Sequence, residues 1–316
     1  MKVDWAILDE AEKVTFVLRS LYRSYGFVRY QMSKFEDYDL YGRNKEFLVS
    51  ENLITFTDMT GKLKALKPDV TLSIIKNHCD PENGVLKLCY DENVYRVSGK
   101  SGNFREILQS GLECFGDVNA SSIGEVLEIA LRALALFERK FVLSVSNLDL
   151  LEGFTKELTD DPALFEALFE CIGEKNLHGI DELVQANGLS AEKAERLKTL
   201  ASLTGPAAAV LPELKTLTAG TSLSAVVGEM EQILSTVSPE LLPNLELDFS
   251  VVGNVTYYNG LIFKGFVEGV PERVISGGQY DGLMKKLGRK SKAVGFAVYL
   301  DTVERLEAPE SAEAES

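Results

Sequence analysis

The sequence predicts an α+β fold, an antiparallel sheet flanked by helices whose strands fall in two groups separated by a helical insertion. Three observations carry this reading. Between Phe27 and Val97 the chain runs as short strand-like segments (FVRYQM, FLVS, LITFTD, LKALKP, GVLKLCY, NVYRV) divided by Gly, Asp and Asn, the pattern of an antiparallel sheet. From Leu151 to Pro243 it changes to short amphipathic helical segments. Strand signals then return at LELDFSVV, YYNGLIFKGFVE and RVISGG. Strands, helices and strands again imply a core interrupted in sequence: residues 1–150 and 244–306 form its two parts, 151–243 the insertion, and 307–316 an acidic tail.

Each element follows from local pattern. Asp9 to Tyr25 places Val14, Val17, Leu18, Leu21 and Tyr22 at helical spacing and stops at Gly26. FREILQSGLECFG continues the first strand group after a polar, glycine-containing loop. Ile123 to Phe141 is apolar at helical period, and FVLSVSNLDLL after it reads as a strand. The insertion breaks at Gly173, Gly188, Gly205-Pro206 and Gly220. AVGFAVYLDTVERL begins as a strand and runs into a helix, and EAPESAEAES, with four glutamates and no large apolar side chain, reads as solvated and disordered.

Composition narrows the function. The 316 residues are 45% hydrophobic, ample for a core. With 33 Lys and Arg against 48 Asp and Glu the charge is −15, a field that repels tRNA, and no basic run offsets it. The start is acidic and amphipathic rather than basic and then apolar, and no apolar run of roughly 18 residues occurs, so neither secretion nor membrane insertion is expected and the location expected is cytoplasmic. Cys79, Cys89, Cys114 and Cys171 are scattered and the histidines, His78 and His178, are isolated; no metal is expected. There is no GxGxxG or GxxxxGK pattern, and no cofactor is expected.

Four stretches mix polar residues with strand context. In ITFTDMTGKLKALKPDVT, Pro68 halts a strand and leaves Asp69 and Thr71 two apart at its end. They suit an ammonium, although a turn residue and helix cap before TLSIIKN explains them as well. In FREILQSGLECFG, Arg105, Ile107, Gln109, Gly111 and Glu113 share one face. A polar face on a central strand implies a wet cleft, and on an edge strand only solvent. TYYNGLIF brings Tyr257 and Tyr258, which can hold a flat ring; SGGQYDGL brings a double glycine that admits a ligand to the backbone, and Tyr280.

In this order the stretches resemble histidyl-tRNA synthetase, a class II synthetase, from about Phe16 to Leu306. FTDMTGKLKALKPDVT is similar to the family's Phe-Thr-Asp…Leu-Arg-Pro-Glu-Gly-Thr strand, YR…FREILQSGLECFG to its motif two, TYYNGLIF to its Asp-Tyr-Tyr-x-x-x-x-Phe and SGGQYDGL to its Ser-Gly-Gly-Arg-Tyr-Asp-Gly-Leu, and AVGFAVYLDTVERL stands at motif three. The resemblance implies a synthetase-like sheet and a homodimer. It implies that Asp69, Thr71 and Gln109 bind an α-amino group and that Glu113 and Tyr258 bind an imidazole, with Tyr257 and Tyr280 completing a histidine pocket. Arg96 and Arg105 stand as remnants of phosphate binding.

The departures matter as much. Asp69 replaces a Glu, Ser98 an acidic residue, Val252 or Gly253 an arginine five residues before the Tyr pair, and Thr302 the motif three arginine, with Arg305 a helical turn too far. Two cations expected at a transferring phosphoryl group are missing, and no anticodon domain follows motif three. A kept histidine pocket with lost activation, and LKPDVT itself, resemble the regulatory subunit that assembles with the short-form ATP phosphoribosyltransferase catalytic subunit. Histidine is then an effector, tRNA is no partner, and no residue is catalytic. The alternatives are a synthetase-like enzyme serving a non-tRNA acceptor and an amino-acid-binding scaffold.

Overall fold

The computed structural model describes residues 7–45, 48, 53–97 and 102–302. Helix α1 (Glu10–Ser24) opens on a capping box in which Asp9 accepts from the Glu12 amide and Glu12 answers the Asp9 amide. A two-residue strand β1 (Val28–Arg29), strand β2 (Phe35–Asp37), a short helix α2 (Tyr38–Gly42), and strands β3 (Thr55–Thr57) and β4 (Leu63–Leu66) follow. Apart from Leu48, the expected strand FLVS lies outside the described residues. TLSIIKN is helix α3 (Thr71–Asn77), so the strand before it ends at Leu66 and the Asp69–Thr71 segment is a helix start.

Two long strands, β5 (Val85–Val97) and β6 (Phe104–Gly116), make the central hairpin. GVLKLCY and NVYRV are thus one strand. The two acidic residues between them are held in place by partners: Asp91 pairs with Arg19 and Arg29 and accepts from Ser110, and Glu92 pairs with the buried Lys67. Helix α4 (Ala120–Ala135) leads to β7 (Phe141–Asn147), where Asn147 ends the strand by capping α5 (Leu148–Lys156) through the amides of Asp149 and Leu150. FVLSVSNLDLL is therefore strand and then helix.

Helices α6 (Pro162–Gly173), α7 (Leu177–Ala186) and α8 (Ala191–Ser202), strand β8 (Thr204–Pro206), and helices α9 (Ala207–Thr218) and α10 (Ser224–Leu234) come next. Their apolar faces join those of α1, α4 and β7 in one continuous core. Strands β9 (Leu245–Asp248), β10 (Asn259–Val267) and β11 (Ile275–Gln279), helix α11 (Asp281–Lys286) and strand β12 (Lys292–Tyr299) complete the chain, the last running into a 3-10 turn at Leu300–Thr302.

The main sheet has the order β1-β5-β6-β12-β11-β10-β7-β9-β8, and β2-β4-β3 form a separate small sheet. The main sheet is mixed: antiparallel from β5 to β7, but with β1 parallel to β5 and β9 parallel to β7. The expected antiparallel sheet holds from β5 to β7, and β1 and β9 add parallel contacts at two places, because each reaches its partner through a long connection rather than a hairpin. Helices α1 and α4 pack on one face. The other carries a second cluster, including Val70, Leu72, Ile74, Tyr90, Tyr257 and Tyr280, over the central strands. Among the described residues no helix is long and apolar enough to cross a membrane, and no group of three or more His, Cys, Asp or Glu is placed to hold a metal.

Candidate ligand-binding site

On that second face the central strands leave a floor of small residues. Register pairs Tyr90 with Gly111, Gly111 with Ala297, and Ala297 with Ser276; the next row pairs Glu113 with Gly295 and Gly295 with Gly278. A side chain at Gly295 would collide with the Glu113 carboxylate, so glycine is required for that carboxylate to lie across the sheet. Above this floor is a cavity of about 110 Å³, walled by Asp69, Thr71, Tyr90, Gln109, Glu113 and the tyrosines 257, 258 and 280.

Glu113 sits at the bottom, 2% exposed. The Thr71 hydroxyl donates to its Oε1 at 2.6 Å and the Tyr280 hydroxyl to its Oε2 at 2.6 Å. Burial outweighs those bonds and pushes its carboxyl up to about 8. Asp69 faces the cavity, yet is set deep enough that burial raises its carboxyl too, against the Leu72 amide at 2.9 Å and the charge of Arg96. The Leu72 bond is a helix-start interaction made by the residue before the cap, Val70, and Asp69 lines the cavity as well. Gln109 is 3% exposed, and its amide has no hydrogen-bond partner among the described residues. The Tyr257 and Tyr258 rings lie 4.5 Å apart, tilted by 56°; both backbone amides donate to the Asn254 carbonyl, at 3.0 and 2.8 Å.

The structure brings Asp69, Thr71, Gln109, Glu113, Tyr257, Tyr258 and Tyr280 around this one cavity. Strand β6 lies between β5 and β12, so its polar face lines a cleft and is no solvent edge. Arg96 stands where the cavity meets a neighbouring cleft lined by Arg105, Lys264, Arg273, Glu272, Asp301 and Thr302. The cations there already have partners. Arg96 donates to the Pro68 carbonyl at 3.1 Å, Arg105 pairs with Asp301 at 3.2 Å, Lys264 donates to the Val252 carbonyl at 3.2 Å, and Arg273 stands over the Tyr299 ring. Burial, with Arg273 nearby, lowers the Lys264 ammonium. Thr302 is buried and donates to the Tyr299 carbonyl, Val252 packs on Gly173, and Gly253 faces the Tyr258 ring. Ser98 and Arg305 lie outside the described residues.

Sequence reasoning missed Tyr90, Ser276 and Tyr299 in the cavity wall and Lys264 and Arg273 in the cleft. The signal for Tyr90 was its register opposite Gly111, which no linear pattern shows.

The family model for histidyl-tRNA synthetase matches residues 6–303. An ATP phosphoribosyltransferase regulatory subunit from Clostridium botulinum is 30% identical over 298 residues, covering 90% of this chain and 69% of the relative. Among solved structures, an ATP phosphoribosyltransferase regulatory subunit/histidyl-tRNA synthetase from Bacillus halodurans superposes with a TM-score of 0.82 at 27% identity, covering 98% of this chain and 83% of the other. A chain of the ATP phosphoribosyl transferase (HisG:HisZ) complex from Thermotoga maritima shares the fold, with a TM-score of 0.69 at 23% identity, covering 92% of this chain and 97% of that one. The chain belongs to the histidyl-tRNA synthetase family and, within it, to the ATP phosphoribosyltransferase regulatory subunits.

Proposed function

We propose that this chain is a non-catalytic subunit that binds histidine and reports it to the short-form catalytic subunit of ATP phosphoribosyltransferase, imposing feedback on the first step of histidine biosynthesis. The observation that carries this is the cavity around Glu113. A carboxylate with both oxygens fixed by hydroxyls is suited to one imidazole nitrogen, and Tyr258 to the other. Asp69, Thr71 and Gln109 suit the ammonium, while Tyr257 and Tyr280 close the walls. Arg96 and Arg105, held by Pro68 and Asp301, are remnants of a phosphate site rather than working parts of one.

A protein that recognises an amino acid without converting it can use the binding energy only by favouring one conformation. Linkage then requires substrate of the catalytic partner to weaken histidine binding by the factor through which histidine weakens substrate binding, typically ~5–150-fold. The chain acts as a homodimer within a hetero-oligomer in the cytoplasm, and its charge of −15 keeps tRNA away. The test is to mix the two proteins, follow co-elution by size exclusion, and assay phosphoribosyl transfer with and without histidine. Co-elution with histidine-sensitive activity is expected; separate elution with an unaltered rate and no gain of histidine sensitivity would end the proposal.

A further inference from the structure

Tyr90 has no role in the family resemblance, yet it occupies the centre of the cavity floor. It is 3% exposed, lines the cavity, and lies opposite Gly111 in register. Gly111 stands two residues from Gln109 and two from Glu113 along β6. A phenol laid across it therefore passes beneath the line joining the groups assigned to the two ends of the ligand. A methyl group on Gly111 would collide with both the hydroxyl and Cζ of Tyr90. Glycine is thus what lets the phenol lie flat instead of filling the cavity.

The hydroxyl is the telling group. Three tyrosine hydroxyls donate to carboxylates, Tyr280 to Glu113, Tyr25 to Glu128 and Tyr95 to Glu106. Those of Tyr22 and Tyr41 lack partners but are sealed in the interior. The Tyr90 hydroxyl has no hydrogen-bond partner among the described residues and opens on the cavity. Two carboxyl groups of the cavity act on it, Glu113 foremost and Asp69 next. An oxygen between two carboxyl groups is better placed to accept from a ligand's N–H than to meet a ligand's carboxylate.

We infer that Tyr90 is a further ligand-contacting residue of this pocket, its phenol forming the floor under the bound amino acid and its hydroxyl accepting a hydrogen bond from it. This rests on the reading that the cavity takes histidine. The experiment uses the full chain and Tyr90→Phe, titrated with L-histidine by calorimetry and melted without ligand. Affinity should fall about 10- to 100-fold, as for loss of one hydrogen bond to a charged group. The ligand-free melting temperature should stay level or rise, because the hydroxyl has no protein partner to lose; a structural hydroxyl would lower it. If the unaltered chain binds no histidine, the pocket reading fails and this inference with it. If that chain binds and Tyr90→Phe binds equally, or loses affinity together with stability, only the role of Tyr90 is overturned.

Discussion

One row of paired residues crosses the sheet from Tyr90 through Gly111, Ala297 and Ser276 to Lys264, so the cavity and the cleft beside it stand on a common floor. At the cavity end, Tyr90 and Gln109 present polar groups with no partner among the described residues. At the cleft end, Arg96, Arg105 and Lys264 are each held by a protein oxygen and Arg273 rests on a ring. A buried polar group left unmet costs about 1 to 3 kcal/mol, a cost retained only where something else removes it. On the proposed reading, histidine removes it at the cavity. In the cleft the cations are engaged, although Asp301 Oδ1 is buried there without a partner, and they would have to give up existing contacts to clamp a phosphate.

The sharpest way to break this contrast is histidine-dependent exchange of pyrophosphate with ATP. With two phosphate-stabilising cations replaced at positions such as Gly253 and Thr302, each worth on the order of a hundredfold, exchange is expected about 10⁴-fold below a working synthetase, at the level of a no-enzyme control. Measurable exchange would show that the cleft still works.

The next effect concerns stability against pH. The Glu113 carboxyl, ordinarily near 4.5, keeps its proton in the fold up to about 8. Between those values the unfolded chain gives up a proton that the folded chain retains, so stability falls as pH rises through that window, by at most ~1.4 kcal/mol per pH unit from this group. Glu113→Gln cannot ionise, and its ligand-free form should lose less stability than the unaltered chain between pH 5 and pH 8 in chemical denaturation. Parallel pH profiles would show that Glu113 does not titrate in that window.

The same substitution should weaken histidine binding by about 1.5 to 3 kcal/mol above pH 8, where the carboxyl is ionised and its hydrogen bond charge-assisted, as read by calorimetry. Smallest of all, Asp301→Ala releases Arg105 from a half-exposed pair. It should change stability by no more than about 1 kcal/mol and leave histidine affinity within about twofold, since Asp301 lines only the cleft. A large loss of affinity would show that cleft and cavity are coupled.

Much of the cavity could be read along the chain because its residues come in short ordered motifs: Asp69 with Thr71, Gln109 with Glu113, Tyr257 with Tyr258, and Tyr280 after the double glycine. What escaped depends on pairing across strands. Tyr90 inside GVLKLCY looks like any core tyrosine until Gly111 is placed opposite it. Lys264 looks like a solvent-facing charge until β10 is set between β11 and β7. Asp91 and Glu92 read as a break between two strands because the Arg19, Arg29 and Lys67 that hold them come from distant segments. The parallel contacts of β1 and β9 left no local trace for the same reason.

Strand β8 closes the main sheet with only Thr204, Gly205 and Pro206. Proline carries no N–H, so an incoming strand would find a ladder of at most two amide donors there. Growth by adding strands at that margin is blocked, and fibril-like stacking has no template on this side of the molecule. Any specific assembly must be made through side chains rather than by lengthening the sheet past β8, which leaves recognition to surfaces that evolution can adjust one residue at a time.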